Sequence, residues 1–245
     1  MKDNFSGHSA DYAKYRPTYP AELYKYLFSL LDDKENAWDC ATGNGQVAAE
    51  LATVFKQVWA TDLSENQLKE APKHKNITYA VRTAEEPVSY QNHFDLITVA
   101  QAVHWFYFST FYANVHKALK NHGALALIGY SVFTTEGKLN EIIQHFYNDS
   151  IGSYWDAERD YLDAHYNTIP FPFREEVVPN FKMEVRWTQD QFLNYLNTWS
   201  AVKHYEKKNS KNPLKLIKNE VKTHWGNEAV RLFEFPMLLR VGYKK

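Results

Sequence analysis

Acidic and small residues lie together at residues 36–45, where a short apolar run ends in a glycine turn. Asp39 lies inside the run, and Gly43 and Gly45 form the turn that leads into a helical pattern. A strand, a glycine turn and a helix bring the backbone close to a nucleotide-like ligand in open α/β sheets. With Ala48 the spacing also fits a dinucleotide-binding turn, which leaves an NAD(P)-dependent oxidoreductase open. Asp39 favours another ligand, because a carboxylate suits a cationic group better than a pyrophosphate.

Three further polar residues follow later predicted strands. Asp62 ends the second strand, where a carboxylate accepts hydrogen bonds from ribose hydroxyls. Glu85, with the backbone of Ala84, follows the third strand and is positioned for the edge of an adenine, although a solvated loop charge explains it equally well. His104 follows the fourth strand as a candidate base or orienting group, with a packed histidine as the alternative.

Apolar segments that alternate with helical patterns predict the framework for these side chains. The first strand begins at residue 36, and four more are predicted at 57–62, 77–83, 94–100 and 124–130. A helix is predicted to start after Pro20. The apolar stripes of the next helices are Val47, Leu51, Val54 and Phe55, and then Phe111, Val115 and Leu119. The alternation predicts parallel strands with a ligand crevice at their carboxyl ends.

Two helix starts are predicted from capping patterns. Ser64 with Gln67, and Thr188 with Gln191, have the spacing of a capping box. The first box leaves Asp62 at the carboxyl end of its strand. The second starts a helix predicted to run through Trp199.

The strand and helix alternation stops after the fifth strand. Residues 131–181 contain helical patterns and prolines, and the strand patterns resume at 183–187 and 233–241. We therefore predict a single domain over residues 1–245. Its parts are an N-terminal lid segment and helix (1–35), a cofactor-binding core (36–130), a helical insertion that covers the substrate (131–181) and the rest of the sheet (182–245).

Composition limits the classes of partner. The net charge of −1 gives no basic surface for nucleic acid. Cys40 is the single cysteine, and neither a signal-peptide pattern nor a membrane-length apolar run is present, so a cytoplasmic protein without membrane association is expected. No pattern indicates a metal site or an oligomeric state.

Several motifs together resemble a known family. Residues 39–45, 62–64, 83–85 and 94–97 resemble, in this order, the motifs of class I S-adenosyl-L-methionine (SAM)-dependent methyltransferases, and are type 11-like. Residues 12–20, 100–106 and 195–201 are similar to a narrower branch, the trans-aconitate and related small-molecule methyltransferases. The resemblance implies a Rossmann-like α/β fold with a seven-stranded sheet, mostly parallel with an antiparallel last strand, and helices on both faces.

The resemblance also implies a set of cofactor-binding residues. Those around the methionine moiety are Asp39, Ala41, Gly43 and Gly45, with Ala41 in place of the family's first glycine. Those around the ribose and adenine are Asp62, Leu63, Gln67, Thr83, Ala84 and Glu85. Those on the sulfonium side are Ala100, Gln101 and Ala102. Tyr12 is expected to face the sulfonium, and Arg16 to pair with the ligand carboxylate.

The catalytic candidates are His104, Tyr15 and Trp105, the last two as cation–π partners. Methyl transfer depends chiefly on positioning and water exclusion, and a carboxylate acceptor needs no base, which agrees with the small-acid branch. Arg159, Arg174 and Arg186 are candidates for a substrate carboxylate, and the sequence does not rank them.

The predicted function is SAM-dependent methyl transfer to a small-molecule acceptor, with a carboxylic acid as a candidate; the sequence does not identify the acceptor. Two alternatives remain from the sequence. One is the oxidoreductase that uses the glycine turn, and the other is a non-catalytic SAM-binding module.

Overall fold

The structure is a computed structural model that describes residues 16–244. The strands are β1 Asn36–Cys40, β2 Gln57–Asp62, β3 Ile77–Val81, β4 Phe94–Ala100, β5 Leu119–Tyr130, β6 Arg174–Glu175, β7 Lys182–Trp187 and β8 Arg231–Tyr243. The α-helices are α1 Ala21–Ser29, α2 Gln46–Leu51, α3 Glu65–Lys69, α4 Phe108–Ala118, α5 Lys138–His145, α6 Arg159–Asp163, α7 Gln189–Asn197, α8 Ser200–Asn209 and α9 Lys218–Trp225. Shorter helical turns are 3₁₀-helices at Val103–Trp105, Gly152–Tyr154 and Pro213–Leu216, and a π-helix at Phe146–Ser150.

The strands form one sheet, which has eight members within residues 16–244. Its order is β3-β2-β1-β4-β5-β8-β6, and β7 also pairs with β8. Strands β1 to β5 are parallel, whereas β8 is antiparallel to β5 and to both β6 and β7. This confirms the predicted Rossmann-like α/β fold, mostly parallel with an antiparallel last strand. The predicted count of seven is one too low, because β6 adds a two-residue strand at the edge.

Packing covers both faces of the sheet. Along β5, Ala124, Ala126 and Ile128 belong to one buried cluster, and Leu125 and Leu127 belong to a second. Successive side chains of a strand point to opposite faces, so each face has its own core. The central strand β4 is buried along almost its whole length, as expected for a strand covered on both sides. Among residues 16–244, no helix is both long enough and apolar enough to cross a membrane.

Some predicted boundaries are wrong. Leu119 does not extend the stripe of α4 but begins β5, five residues before the predicted start, and pairs with Phe94 across an irregularity in the ladder. Gly123 permits this approach, since a Cβ there would come within 2.8 Å of the Phe94 carbonyl oxygen. Val54 lies beyond the end of α2 and is 38% exposed.

Two other elements end earlier than predicted. Strand β3 stops at Val81, and residues 82–86 form a loop that turns at 84–86. The helix that starts at the predicted Thr188–Gln191 capping box ends at Asn197, and α8 begins separately at Ser200.

Candidate active site

The turn after β1 has a left-handed backbone at alternate residues. Ala41, Gly43 and Gly45 have φ angles of 56°, 57° and 78°. At Gly45 a side chain is disfavoured, because its Cβ would come within 2.8 Å of the Tyr79 hydroxyl oxygen, which would have to shift. Ala41 holds the same backbone region with a methyl group attached, which costs about 1 kcal/mol. In the sequence, Ala41 stands where the related family has a glycine. In the structure, its unusual feature is the left-handed backbone conformation.

We expect Ala41→Gly to raise the free energy of unfolding by roughly 0.5–1 kcal/mol, because relief of the left-handed strain exceeds the chain entropy that glycine adds. Gly43→Ala is the matched control in the same turn. No atom lies within 4 Å of its added Cβ, so its expected loss of about 1 kcal/mol reports on backbone conformation alone. Urea denaturation of the ligand-free proteins measures both. A destabilised Ala41→Gly variant would contradict the assignment of strain.

Asp39 lies beneath this turn and is 1% exposed. Its carboxylate accepts hydrogen bonds from the hydroxyls of Thr42 and, at 2.7 Å, of Thr98. Burial raises the pKa of Asp39 to about 6; the two hydroxyl bonds and a backbone bond from Ala48 oppose the shift, and the charge of Asp62 adds to it. Asp39 therefore acts on the turn through Thr42 and through its field, because its own oxygens are covered.

Asp62 joins the turn after β1 to the turn after β2. One carboxylate oxygen accepts the Gly43 N–H and the other accepts the Ser64 N–H, both at 2.8 Å. Ser64 caps α3 by accepting the Gln67 N–H at 3.3 Å. The second half of the predicted capping box is absent, because the Ser64 N–H already donates to Asp62. As a result, Gln67 Oε1 is buried without a hydrogen-bond partner among residues 16–244. Leu63, between them, is half-buried.

The turn after β3 is held by a residue that the sequence analysis missed. Asn114 on α4 donates through its side-chain amide to the Ala84 carbonyl oxygen at 3.0 Å and to the Glu86 carbonyl oxygen at 2.9 Å. Glu85 accepts the Tyr107 N–H at 3.1 Å, and the Thr83 N–H donates to the side chain of Glu86 at 3.0 Å. The sequence signal for this role was the amide side chain of Asn114, which falls within the apolar stripe of α4.

The end of β4 is tied to the end of β5 by Gln101. Its side-chain amide donates to the Tyr130 carbonyl oxygen and accepts the Tyr130 N–H, both at 3.0 Å. Gln101 also has a positive φ of 56°, so the chain turns sharply between Ala100 and Ala102. This turn directs the following 3₁₀-helix, with His104 and Trp105, across the carboxyl end of the sheet.

A cavity that is open in part to solvent lies beside Gln101. Its lining includes the predicted residues Arg16, Gln101, His104 and Trp105. The remaining lining residues are Tyr130, Ser131, Val132, Trp155, Asp156, Arg159, Leu162, Tyr195, Trp199 and Ser200.

His104 is buried at the edge of this cavity, with Nδ1 3.5 Å from the Tyr166 hydroxyl oxygen. Burial, with a smaller contribution from the positive charge of Arg159, lowers the pKa of His104 to about 3. The imidazole is therefore neutral near pH 7. A group that holds a proton so weakly is a poor base but a competent hydrogen-bond partner.

The three candidate arginines lie in different parts of the structure. Arg159 lines the cavity, where its Nε donates to the Tyr147 hydroxyl at 2.7 Å and lies 3.4 Å from an Asp163 carboxylate oxygen. Arg174 lies over the Tyr243 ring and Arg186 is exposed on β7, and neither lines this cavity.

Known proteins resemble this chain in sequence and in structure. A family model described as a methyltransferase domain matches residues 38–127. A Dictyostelium discoideum protein named as a methyltransferase is 30% identical over 251 residues, which covers 99% of this chain and 95% of that protein. The chain belongs to the SAM-dependent methyltransferase family.

Solved structures agree with this assignment. A type II methyltransferase structure from Anaeromyxobacter dehalogenans is 32% identical, with a TM-score of 0.85 over 93% of this chain and 97% of that one. A methyltransferase structure from Bacillus halodurans shares the fold, with 20% identity and a TM-score of 0.54 over 91% and 99% of the two chains. SAM is therefore the cofactor of this methyltransferase, and the oxidoreductase and the non-catalytic module are not favoured.

The residues present in the methyltransferase fit SAM. At Gly43 an added Cβ would meet no atom within 4 Å, which leaves space above the turn. Asp62 is a carboxylate at a strand end, and the unpartnered Gln67 oxygen lies on the helix next to it. The structure thus brings together the predicted residues at the ends of β1 and β2, and separately those at the end of β4. Tyr12 and Tyr15 lie outside the described residues.

Proposed function

We propose that this methyltransferase transfers the methyl group of SAM to a small-molecule carboxylic acid held in the cavity beside Gln101. The proposal depends on the hydrogen bonding of the Arg159 guanidinium. Its Nε is occupied by Tyr147 and Asp163, but within residues 16–244 neither Nη atom makes a hydrogen bond. A cavity-lining guanidinium with a free end is suited to a carboxylate.

Residues 131–181 are proposed to cover the acceptor, as the sequence analysis predicted. Trp155, Asp156, Arg159 and Leu162 from this segment all line the cavity. They face the 3₁₀-helix that carries His104, so an acceptor between them would be shielded from water. Water exclusion strengthens the electrostatic contacts that orient it.

On the cofactor side we propose the residues that the resemblance implied. Asp62 is proposed to hold the ribose, with Gln67 beside the adenine. The turn residues Ala41, Gly43 and Gly45 would accommodate the methionine end. Arg16, which lines the same cavity, is proposed to pair with the carboxylate of SAM.

When bound, SAM supplies a methyl group on a positively charged sulfur. A carboxylate acceptor has no proton to remove, so the residues of the chain need only position the acceptor against the methyl group. The low pKa of His104 is consistent with this, since the neutral imidazole orients the acceptor without competing for a proton. Trp105 is proposed to close the same side of the cavity.

The proposal is tested by incubating the purified protein with SAM and a panel of small carboxylic acids, amines and phenols. Methyl esters are the expected products, with S-adenosyl-L-homocysteine (SAH) formed in equal amount. Methylated amines or phenols in place of esters would refute the carboxylic acid. Tight SAH binding without any product would instead favour the non-catalytic module.

We expect Arg159→Gln to raise the KM for a carboxylic acid about 20-fold, because a charge-assisted hydrogen-bond donor is lost. The affinity for SAH should change by less than about twofold, since Arg159 is assigned to the acceptor. Arg186→Gln is the matched control, because that arginine is exposed on β7 and outside the cavity. Steady-state kinetics with the best acid of the panel measures both variants. Equal KM values for the two would remove Arg159 from the site.

A further inference from the structure

Aromatic rings form a continuous wall between the two arginines of the cavity. The guanidinium of Arg159 lies 4.9 Å from the centroid of Trp155, whose ring is 5.5 Å from that of Trp199. Trp199 is 6.0 Å from Tyr195, and the guanidinium of Arg16 lies 5.5 Å over Tyr195. All five residues line the cavity. We refer to Trp155, Trp199 and Tyr195 as the ring wall.

The position of the ring wall limits the shape of the acceptor. It stands at the side of the cavity supplied by residues 155–199, whereas Gln101 and His104 come from the end of β4. Trp199 and Tyr195 are at most 4% exposed, so they are held by packing and do not swing freely. Trp155 and Tyr195 are tilted by 53° and 82° to Trp199, so the ring wall presents edges as well as faces. A flat conjugated body gains from offset and edge-to-face contacts with these rings beyond its buried area.

The charges of the lining limit the acceptor to one anionic group. Arg16 and Arg159 are opposed by Asp156, and His104 is neutral. The Nη1 of Arg16 donates to the Tyr130 hydroxyl at 3.0 Å, and the proposed function already assigns this arginine to SAM. Arg159 is then the cation left for the acceptor, and Asp156 would repel a second carboxylate. A cationic amine on the ring wall is disfavoured because it would lie beside the positive charges of Arg16 and Arg159, which would repel it.

We infer that the methyl acceptor is a flat, aromatic or conjugated acid with a single carboxylate, which meets Arg159 while its ring lies along the ring wall. The inference rests on the proposed function. In the transfer, a bond forms between a carboxylate oxygen and the methyl carbon, and the carbon–sulfur bond breaks with its electron pair left on sulfur. Anion and sulfonium become a neutral ester and a neutral thioether, and no proton is released.

Titration calorimetry with saturating SAH tests the inference with simple probe acids. Benzoate and cinnamate are the flat monocarboxylates, cyclohexanecarboxylate has a saturated ring, terephthalate has a second carboxylate, and benzamide has no charge. We expect cyclohexanecarboxylate to bind about 3- to 10-fold more weakly than benzoate, because it loses the ring-face contact. Terephthalate and benzamide should each bind at least about tenfold more weakly than benzoate.

Variants of the ring wall separate its role from general packing. Trp155→Leu should reduce the preference for benzoate over cyclohexanecarboxylate to about twofold or less, whereas Trp155→Phe, which retains a ring face, should keep most of it. Arg186→Gln should leave the preference unchanged. The discrimination ratio within each variant cancels any uniform loss of affinity.

Ester formation from the same acids distinguishes failure of the inference from failure of the proposed function. If esters form but cyclohexanecarboxylate or terephthalate is bound as well as benzoate, the inference is wrong and the proposed function stands. If no acid binds and no ester forms although SAH binds, both are wrong. A preference for benzoate that Trp155→Leu removes supports the inference.

Discussion

Asp62→Ala is expected to weaken the binding of SAH about 100-fold or more. A carboxylate that accepts hydrogen bonds from ribose hydroxyls contributes roughly 1.5–3 kcal/mol. Asp62 also accepts the N–H groups of Gly43 and Ser64, so its loss releases the two turns that would hold the methionine end and the adenine. Both effects act in the same direction, because the ligand must then order the turns as well as bind to them. Calorimetric titration with SAH measures the change.

The control for this prediction is Asp33→Ala, which removes an exposed acid ahead of β1 and should leave the affinity within about twofold. Asp62→Asn should fall between the two, because one oxygen is retained as an acceptor. An Asp62→Ala protein that unfolds at the wild-type urea concentration, yet binds SAH within about threefold of wild type, would remove Asp62 from the site.

Local sequence patterns predicted the elements around Asp62 well. Strands β2 and β4 have the predicted bounds, and Ser64 and Thr188 cap their helices as expected. These features depend on residues close in the sequence, so periodicity and capping rules suffice. The capping box at Ser64 failed in one half because another local acceptor, Asp62 two residues earlier, accepts the N–H that the rule assigns to Gln67.

Residues whose role depends on distant partners were not predictable. Asn114 supports the turn after β3 from 28 and 30 residues away, and Gln101 pairs with a strand end 29 residues later. Arg159 could not be ranked above Arg174 or Arg186, because the choice depends on which loop reaches the end of β4. Side-chain contacts between segments decide each case, and they leave only a weak signal in one sequence, such as an amide on an apolar stripe.

Two buried groups of the site are expected to give the ligand-free protein opposite responses to acid. The pKa of His104 is about 3 in the folded protein against 6.5 when exposed. The unfolded chain then binds a proton that the folded protein refuses, so His104 lowers stability as pH falls from 6.5 towards 3, by about 2 kcal/mol at pH 5. Asp39 has a folded pKa of about 6 against 3.8. It therefore raises stability as pH falls from 6 towards 3.8, by about 1.4 kcal/mol at pH 5.

These two contributions to the free energy of unfolding partly cancel in the wild-type protein. Single variants should therefore show them separately, with opposite signs. Between pH 7 and pH 5, His104→Gln should gain about 2 kcal/mol of stability relative to wild type, and Asp39→Asn should lose about 1.4 kcal/mol. Urea denaturation at a series of pH values measures both differences. The exposed His122→Gln is the control and should run parallel to wild type. If the curves of both variants run parallel to that of wild type, burial does not shift the pKa of His104 or of Asp39 in the folded protein.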